Sequence, residues 1–311
     1  MILRQGILWL SERRQLFDFV RRNRLAQKFA SRFVAGETVE EAVAAARELH
    51  RKGITASLDF LGESVTAEAE AVAACEQYLR MLDQLKASGV EVNVSVKLTQ
   101  MGLDIDEELC YRNLARILDK ARALGGFVRI DMEGSAYTQR TLDFFHDRLY
   151  EPYGTVTGVV IQAMLRRSAR DIERLIQLRA RVRLCKGAYL EPPSVAFPDK
   201  ADVDKNYVRL MERLLEEGNY PALATHDERI IQYATEYARR RQIPADRYEF
   251  QMLYGVRRDL QQRLRQAGYR MRVYIPFGTQ WYPYLMRRLA ERPANIAFIL
   301  GNVIRESAPR T

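Results

Sequence analysis

From residue 38 onward the chain repeats one hydrophobic pattern eight times. A short apolar or alternating run comes first, and a longer stretch with apolar residues every three or four positions follows it. The strand-like runs are Ile54–Phe60, Val92–Leu98, Phe127–Met132, Gly158–Ala163, Val182–Lys186, Pro221–Thr225, Tyr248–Leu253 and Arg270–Pro276. The helical stretches between them cover Ala67–Ser88, Ile105–Leu124, Tyr137–Tyr150, a helix opening at Ser168–Asp171, Ala201–Glu217, Glu228–Arg241 and Val256–Ala267. A first helix, Thr38–Lys52, precedes the series, and a final one follows the Pro276–Gly278 loop with Thr279 as its expected N-cap. Asp104 and Glu107 have capping-box spacing ahead of the second of these repeats. Eight strand–helix units predict an α/β fold, a (β/α)8 TIM-type barrel over residues 36–311, with a helical arm at 1–35. A doubly wound open sheet is the alternative; it is weakened because no G-x-G occurs anywhere in the chain.

The polar residues inside the runs fall at informative places. Barrel enzymes carry their chemistry at the C-terminal ends of the strands. There the sequence puts Asp59, Lys97, Asp131, Gln162, Arg183 with Lys186, Thr225 with His226, Gln251, and Tyr274. Alternation places Asn93, Ser95 and Lys97 on one face of their strand and Val92, Val94, Val96 and Leu98 on the other. Arg129 and Asp131 likewise oppose Val128, Ile130 and Met132. The polar faces should point into the barrel, bringing Lys97 and Asp131 near its mouth. Each such residue has a plain structural alternative, a buried ion pair that fixes packing. Two lysines ending polar faces, Lys97 and Lys186, are harder to assign that way, because a buried charge needs a partner or an anionic ligand. Strict alternation sets Arg183 and Lys186 on opposite faces, so their strand must end or bulge near Cys185 if both meet one ligand.

The final helix adds cations. Arg287 and Arg288 lie four and three residues before Glu291, within reach on neighbouring turns. Paired guanidiniums suit a planar carboxylate; a solvated Arg–Arg pair with a helix salt bridge is the alternative.

Composition narrows the class. The 311 residues are 47% hydrophobic, enough for a large core. No apolar run reaches the ~20 residues of a spanning helix, and the start, MILRQGILWLSERRQ, has no signal cleavage site. Cys75, Cys110 and Cys185 have no metal-type spacing, and with His50, His146 and His226 scattered, a metal site lacks support. Reduced thiols and a cytoplasmic location are the expectation. The net charge is +9, and residues 1–35 contribute +6 of it, eight Arg/Lys against two acids. This basic, Leu/Ile/Phe-interleaved arm fits a helix packed on the barrel, a helix on an anionic membrane surface or, least well, a nucleic-acid arm, since the body carries no nucleic-acid motif. At this level the barrel has a cationic mouth made of Lys97, Arg183, Lys186, Arg287 and Arg288, and its ligands should include a carboxylate or phosphates. A class I aldolase-type enzyme with a strand-end Lys as Schiff base fits these facts equally well.

The strand-end motifs resemble, in sequence and order, those of the proline dehydrogenase family. The matching segments are SVKLTQMGLDID (Ser95–Asp106), RIDMEGS (Arg129–Ser135), VVIQAML (Val159–Leu165), VRLCKGAYLEP (Val182–Pro192), ATHDERII (Ala224–Ile231), FQMLYGVR (Phe250–Arg257) and VYIPFGTQWYPYLMRRLAERPAN (Val273–Asn295). The resemblance implies an FAD-dependent barrel with its last helix over the flavin. It implies oxidation of L-proline to Δ1-pyrroline-5-carboxylate by hydride transfer to flavin N5, with electrons passing to a membrane quinone. Carried over, Arg287, Arg288 and Lys97 bind the substrate carboxylate, with Asp131 beside Lys97 as a catalytic-pocket residue. Tyr189, Leu253 and Tyr274 enclose the ring, and a tyrosine at 274 goes with proline rather than hydroxyproline. Arg183 contacts the flavin near N5. Met132, Gln162, Lys186, Gly187, Ala188, Thr225 and His226 line the cofactor site, and Glu291 orients an arginine there and helps close the site. Pro276 and Gly278 become the joint of a lid. The need to reach a quinone makes peripheral contact with the inner face of the cytoplasmic membrane, through the basic arm, the expected arrangement. No nucleic-acid partner is implied.

Overall fold

The computed structural model describes residues 30–291. Its eight strands are β1 (Thr55–Phe60), β2 (Asn93–Val96), β3 (Phe127–Ile130), β4 (Thr157–Gln162), β5 (Arg181–Cys185), β6 (Ala222–Ala224), β7 (Glu249–Leu253) and β8 (Met271–Phe277). All pair in parallel, in chain order, and β8 closes on β1, so the sheet is a complete barrel rather than an open one. The helices are α1 (Val39–Arg51), α2 (Glu68–Ala87), α3 (Glu107–Ala123), α4 (Ser135–Phe144), α5 (Tyr150–Tyr153), α6 (Ser168–Gln177), α7 (Lys200–Glu217), α8 (Glu228–Arg240), α9 (Arg258–Gln266) and α10 (Trp281–Glu291).

Local sequence explains several boundaries. Thr38 caps α1 in a capping box, its hydroxyl accepting from the Glu41 N–H while Glu41 accepts from the Thr38 N–H at 3.0 Å. The Asp104–Glu107 pairing expected for α3 is not used. Asp106 is the cap, accepting from the Leu109 N–H at 2.8 Å, because Gly102 and its neighbours form turns that delay the helix. The expected helix at Tyr137–Tyr150 is divided, with a π-helical turn at Phe145–Leu149 between α4 and α5. Ser168 opens α6 without capping it; its hydroxyl donates to the Gln162 carbonyl at 2.6 Å instead. α10 begins at Trp281, two residues past the expected Thr279 cap. β2 ends at Val96, earlier than its apolar run, and β5 ends at Cys185 as the Arg183–Lys186 argument required.

The main core lies between the outer face of the sheet and the helices. Val94, Val96, Val128 and Ile130 are fully buried there with Cys75, Met81, Leu82, Cys110 and Leu114. The interior of the barrel is different. A barrel lumen is ordinarily filled by bulky branched side chains; here Ser57, Ser95, Arg129, Arg183, Glu249, Gln251 and Arg272 are buried. The lumen is therefore held by hydrogen bonds and ion pairs. Residues 30–35, placed with the arm on sequence, and Gly36 run beside the last strand. The Ala35 N–H donates to the Pro276 carbonyl at 2.9 Å and the Gly278 N–H to Gly36 at 3.0 Å. Ala30 and Val34 join Leu61, Trp281, Tyr282, Tyr284 and Leu285 in a second apolar cluster beneath α10. Among the described residues no helix is long and apolar enough to cross a membrane.

Candidate active site

The lumen has a base and a mouth. At the base, Arg272 from β8 donates to Glu249 of β7 at 2.8 Å and to Glu91, just before β2, at 2.9 Å. Burial pushes the Glu249 carboxyl up, but Arg272 pulls it further down, to about 2.

At the mouth, Asp131 is the hub. It follows β3 directly and accepts from Arg183 Nη1 at 2.6 Å and from the Tyr274 hydroxyl at 2.8 Å. Lys97 Nζ stands 4.0 Å from Asp131 and donates to both oxygens of Asp59, at 3.0 and 3.2 Å. Arg183 Nη2 donates to Ser95 Oγ at 3.1 Å, and Ser95 Oγ lies 3.1 Å from Ser57 Oγ. The Arg183 guanidinium also sits over the Tyr274 ring, 5.3 Å from its centroid. Lys97 and Arg183 are only 7% and 6% exposed, so these charges interact in a weakly screened interior. Burial alone pulls the Lys97 ammonium down; Asp59 and then Asp131 outweigh it and hold Lys97 cationic, above its ordinary range. Burial raises the Asp59 carboxyl against the pull of Lys97. Burial also pushes the Tyr274 hydroxyl well up, helped by Asp131, so it stays a donor at neutral pH.

The adjoining arc is made by the ends of β4, β5 and β6. The Gln162 amide donates to the Glu133 carbonyl at 2.9 Å. Lys186, the first residue past β5, is held by Asp204 at 2.5 Å and Asp227 at 2.8 Å. Burial raises the Asp227 carboxyl, but Lys186 and Lys200 bring it below its usual value. Gly187 has φ +108, and a Cβ there would lie 2.4 Å from Met164 Sδ, so the backbone passes where no side chain fits. Thr225 accepts from the Asp227 N–H at 3.1 Å, and His226 Nε2 accepts from the Leu253 N–H at 2.9 Å, which leaves Nδ1 to carry the proton of the neutral ring.

Lys97, Asp131, Arg183 and Tyr274 therefore meet in one network, and Leu253 pairs in register with Tyr274 beside it. Met132, Gln162, Lys186, Gly187, Ala188, Thr225 and His226 line consecutive strand ends on one side of that network. Tyr189 lies in the loop after β5, packed on Met164, Leu165 and Ala196. The backbone of α10 continues to Glu291, while the side chains of Arg287, Arg288 and Glu291 lie outside the described residues. Sequence reasoning gave no role to Asp59, Ser57, Glu133 or Asp227. Asp59 carried a signal, its place at the end of β1; nothing in the spacing said which cation it would meet. Glu133, buried and accepting from the Thr99 hydroxyl at 2.6 Å, carried none.

The profile of the proline dehydrogenase family matches residues 42–300. A proline dehydrogenase of Deinococcus radiodurans is 42% identical over 307 residues, which is 98% of each chain. Proline dehydrogenase 1 of Bacillus subtilis is 42% identical over 304 residues, covering 94% of this chain and 99% of that one. Among solved structures, proline utilization A from Bdellovibrio bacteriovorus, inactivated by N-propargylglycine, superposes with a TM-score of 0.81 at 28% identity. That match covers 91% of this chain and 34% of the larger protein.

Proposed function

The chain belongs to the proline dehydrogenase family and oxidises proline; from that premise we propose that it converts L-proline to Δ1-pyrroline-5-carboxylate with FAD as hydride acceptor and a membrane quinone as the final oxidant. The observation that carries the finer reading is the Asp59–Lys97–Asp131–Arg183–Tyr274 network. It is buried and gathers two cations, Lys97 and Arg183, with Asp59 and Asp131 at the strand ends, where a small carboxylate could meet them. Among the described residues, Arg183 Nε is fully buried with no hydrogen-bond partner, while Nη1 and Nη2 are committed to Asp131 and Ser95. An orphan buried donor beside a strand-end cation, Lys186, and the bare backbone at Gly187 fits the electron-rich edge and phosphates of a flavin nucleotide. When bound, FAD supplies a two-electron acceptor that no side chain can provide.

The protein's own contribution is positioning and electrostatics. Lys97 neutralises the substrate carboxylate, aided by Arg287 and Arg288 from α10. Asp59 fixes the Lys97 ammonium so that its remaining donor faces the mouth. Tyr274, Leu253 and Tyr189 shape the ring pocket. As the hydride leaves the carbon beside nitrogen, the amine also loses a proton, and Asp131, which pairs with Arg183 and lies 4.0 Å from Lys97, would take it. Arg183 and its unused Nε stabilise the negative charge that the acceptor gains. Met132, Gln162, Lys186, Gly187, Ala188, Thr225, His226 and Glu291 would hold the cofactor, and α10 would close over it. The basic segment 1–35, outside the described residues apart from its last six, would give contact with an anionic membrane surface.

A visible spectrum tests the reading. The purified protein should be yellow, and its flavin band should bleach when proline is added without oxygen. A colourless protein after FAD supplementation would refute it, and borohydride trapping of substrate on Lys97 or Lys186 would favour the aldolase-type alternative. Deleting residues 1–29, which spares the segment packed against β8 and α10, should lower binding to anionic liposomes and leave dye-coupled activity intact.

A further inference from the structure

Among the described residues four cations are buried in the barrel lumen, and three of them have a carboxylate within ion-pair distance: Lys97 with Asp59, Arg183 with Asp131, and Arg272 with Glu249. The fourth, Arg129, is 4% exposed and has none among the described residues. Its Nη1 donates to two backbone carbonyls, Val159 at 3.2 Å and Arg181 at 2.5 Å. Its Nε is buried and has no hydrogen-bond partner among the described residues, and its Cζ lies 4.8 Å from the Phe127 ring centroid. Carbonyl dipoles and a ring face soften a buried charge without cancelling it.

The sheet is shaped to admit this side chain. In β4, Gly158 pairs with Arg129, and a Cβ at Gly158 would lie 2.6 Å from Arg129 Nη1 and 2.2 Å from the Arg181 carbonyl. The bare backbone is what lets the guanidinium cross β4 toward β5. Two residues further along β4, Val160 pairs with Arg183, so Arg129 is rooted one inward layer below Arg183. Ser95 ties the two layers, pairing with Arg129 in register and accepting from Arg183 Nη2. Burial and then repulsion from Arg183 pull the Arg129 guanidinium well below its ordinary range, yet an arginine remains cationic at neutral pH.

We propose that Arg129 is a positioning residue for the redox site. Its charge, which meets no described carboxylate at ion-pair distance and feels Glu249 and Asp131 only from further away, pushes Arg183 toward the mouth and makes the whole mouth more receptive to negative charge, so it favours the reduced flavin. The inference rests on the flavin reading above. Arg129 touches neither ligand, and a merely packing role would leave the redox balance alone.

The experiment is a redox titration of the FAD-loaded full-length protein against a reference dye. At the wild-type midpoint, Arg129→Gln and Arg129→Met should lower the ratio of reduced to oxidised flavin by about tenfold, which is about 30 mV for a two-electron couple. Arg129→Lys, which keeps the charge, should hold the ratio within about twofold of wild type on the same scale. Glu249→Gln removes an interior anion at the base and should move the ratio the opposite way. An unchanged ratio in flavin-loaded Arg129→Gln and Arg129→Met overturns the proposal, as does an equal fall in Arg129→Lys. If the neutral variants do not fold, the sign of the Glu249→Gln shift decides: a rise supports the proposal, and no change or a fall overturns it. A wild type that retains no FAD would defeat the flavin reading and this inference with it, an outcome distinct from an unmoved ratio in loaded variants.

Discussion

The two ends of the lumen are built from the same materials and behave differently. At the base, Arg272 is enclosed by Glu249 and Glu91, with its Nη1 given to the Ala56 carbonyl at 2.9 Å. Each Arg272 nitrogen there has an acceptor. At the mouth, Lys97 and Arg183 are equally buried, yet among the described residues Arg183 Nε has no hydrogen-bond partner. A buried ion pair is weak evidence of function by itself, since apolar residues often replace one without loss of stability. The difference between the ends is open valence. The charges at the base satisfy one another, and on the proposed reading the mouth keeps a donor for a ligand.

Paired substitutions break or sharpen that contrast most strongly. The double variant Lys97→Met with Asp59→Leu removes a buried pair without orphaning either partner, so its melting temperature should stay near wild type. Its kcat/KM for proline should nonetheless fall about 100- to 1000-fold, roughly 3–4 kcal/mol, because the carboxylate loses its cation. Retained activity would place the mouth pair in the same class as the base. At the base, Arg272→Met alone should cost about 3–5 kcal/mol by stranding Glu249, while Arg272→Met with Glu249→Leu should recover most of the stability and keep activity. Denaturant titrations of single and double variants decide it, and a double variant as unstable as the single would show that the base does more than satisfy its own charges.

Acid sensitivity gives a third, somewhat smaller effect. Glu249 titrates near 4.5 unfolded and is lowered to about 2 when folded. A depressed carboxylate adds stability that is complete above its unfolded value and is lost as pH falls toward the folded one. The base should therefore contribute about 3 kcal/mol at pH 6 that disappears between about pH 5 and 2. Melting curves over that window should show a shallower acid loss in the Arg272→Met, Glu249→Leu variant; an identical slope would contradict the assignment. The smallest expected change is at Tyr274. Tyr274→Phe deletes one hydrogen bond to Asp131, which keeps Arg183 as a partner, so kcat/KM should drop about 3- to 10-fold, about 1 kcal/mol. A loss as large as that of the Lys97 variant would make Tyr274, not Lys97, the centre of the mouth.

Much of this arrangement was legible in the chain. The strand–helix repeat gave the barrel, and alternation in Val92–Leu98 and Phe127–Met132 turned Lys97 and Asp131 inward, because side-chain direction in a strand is a local property with period two. The end of β5 at Cys185 followed from asking how Arg183 and Lys186 could serve one site. Capping was less legible, since Asp104 and Asp106 are both chemically competent caps and only the Gly102 turn selects between them. The partners were not legible at all. Asp131 meets Tyr274 from β8 and Arg183 from β5, strands that do not neighbour β3 in the sheet, and those contacts exist only because the sheet closes and directs all strand ends to one mouth. The setting of Arg129 belongs to the same class. Its residue type and inward direction are in the sequence, but that no described carboxylate reaches ion-pair distance of it emerges only when register and closure have assigned the other pairs, because the electrostatics of a lumen depend on distances across the barrel rather than along the chain.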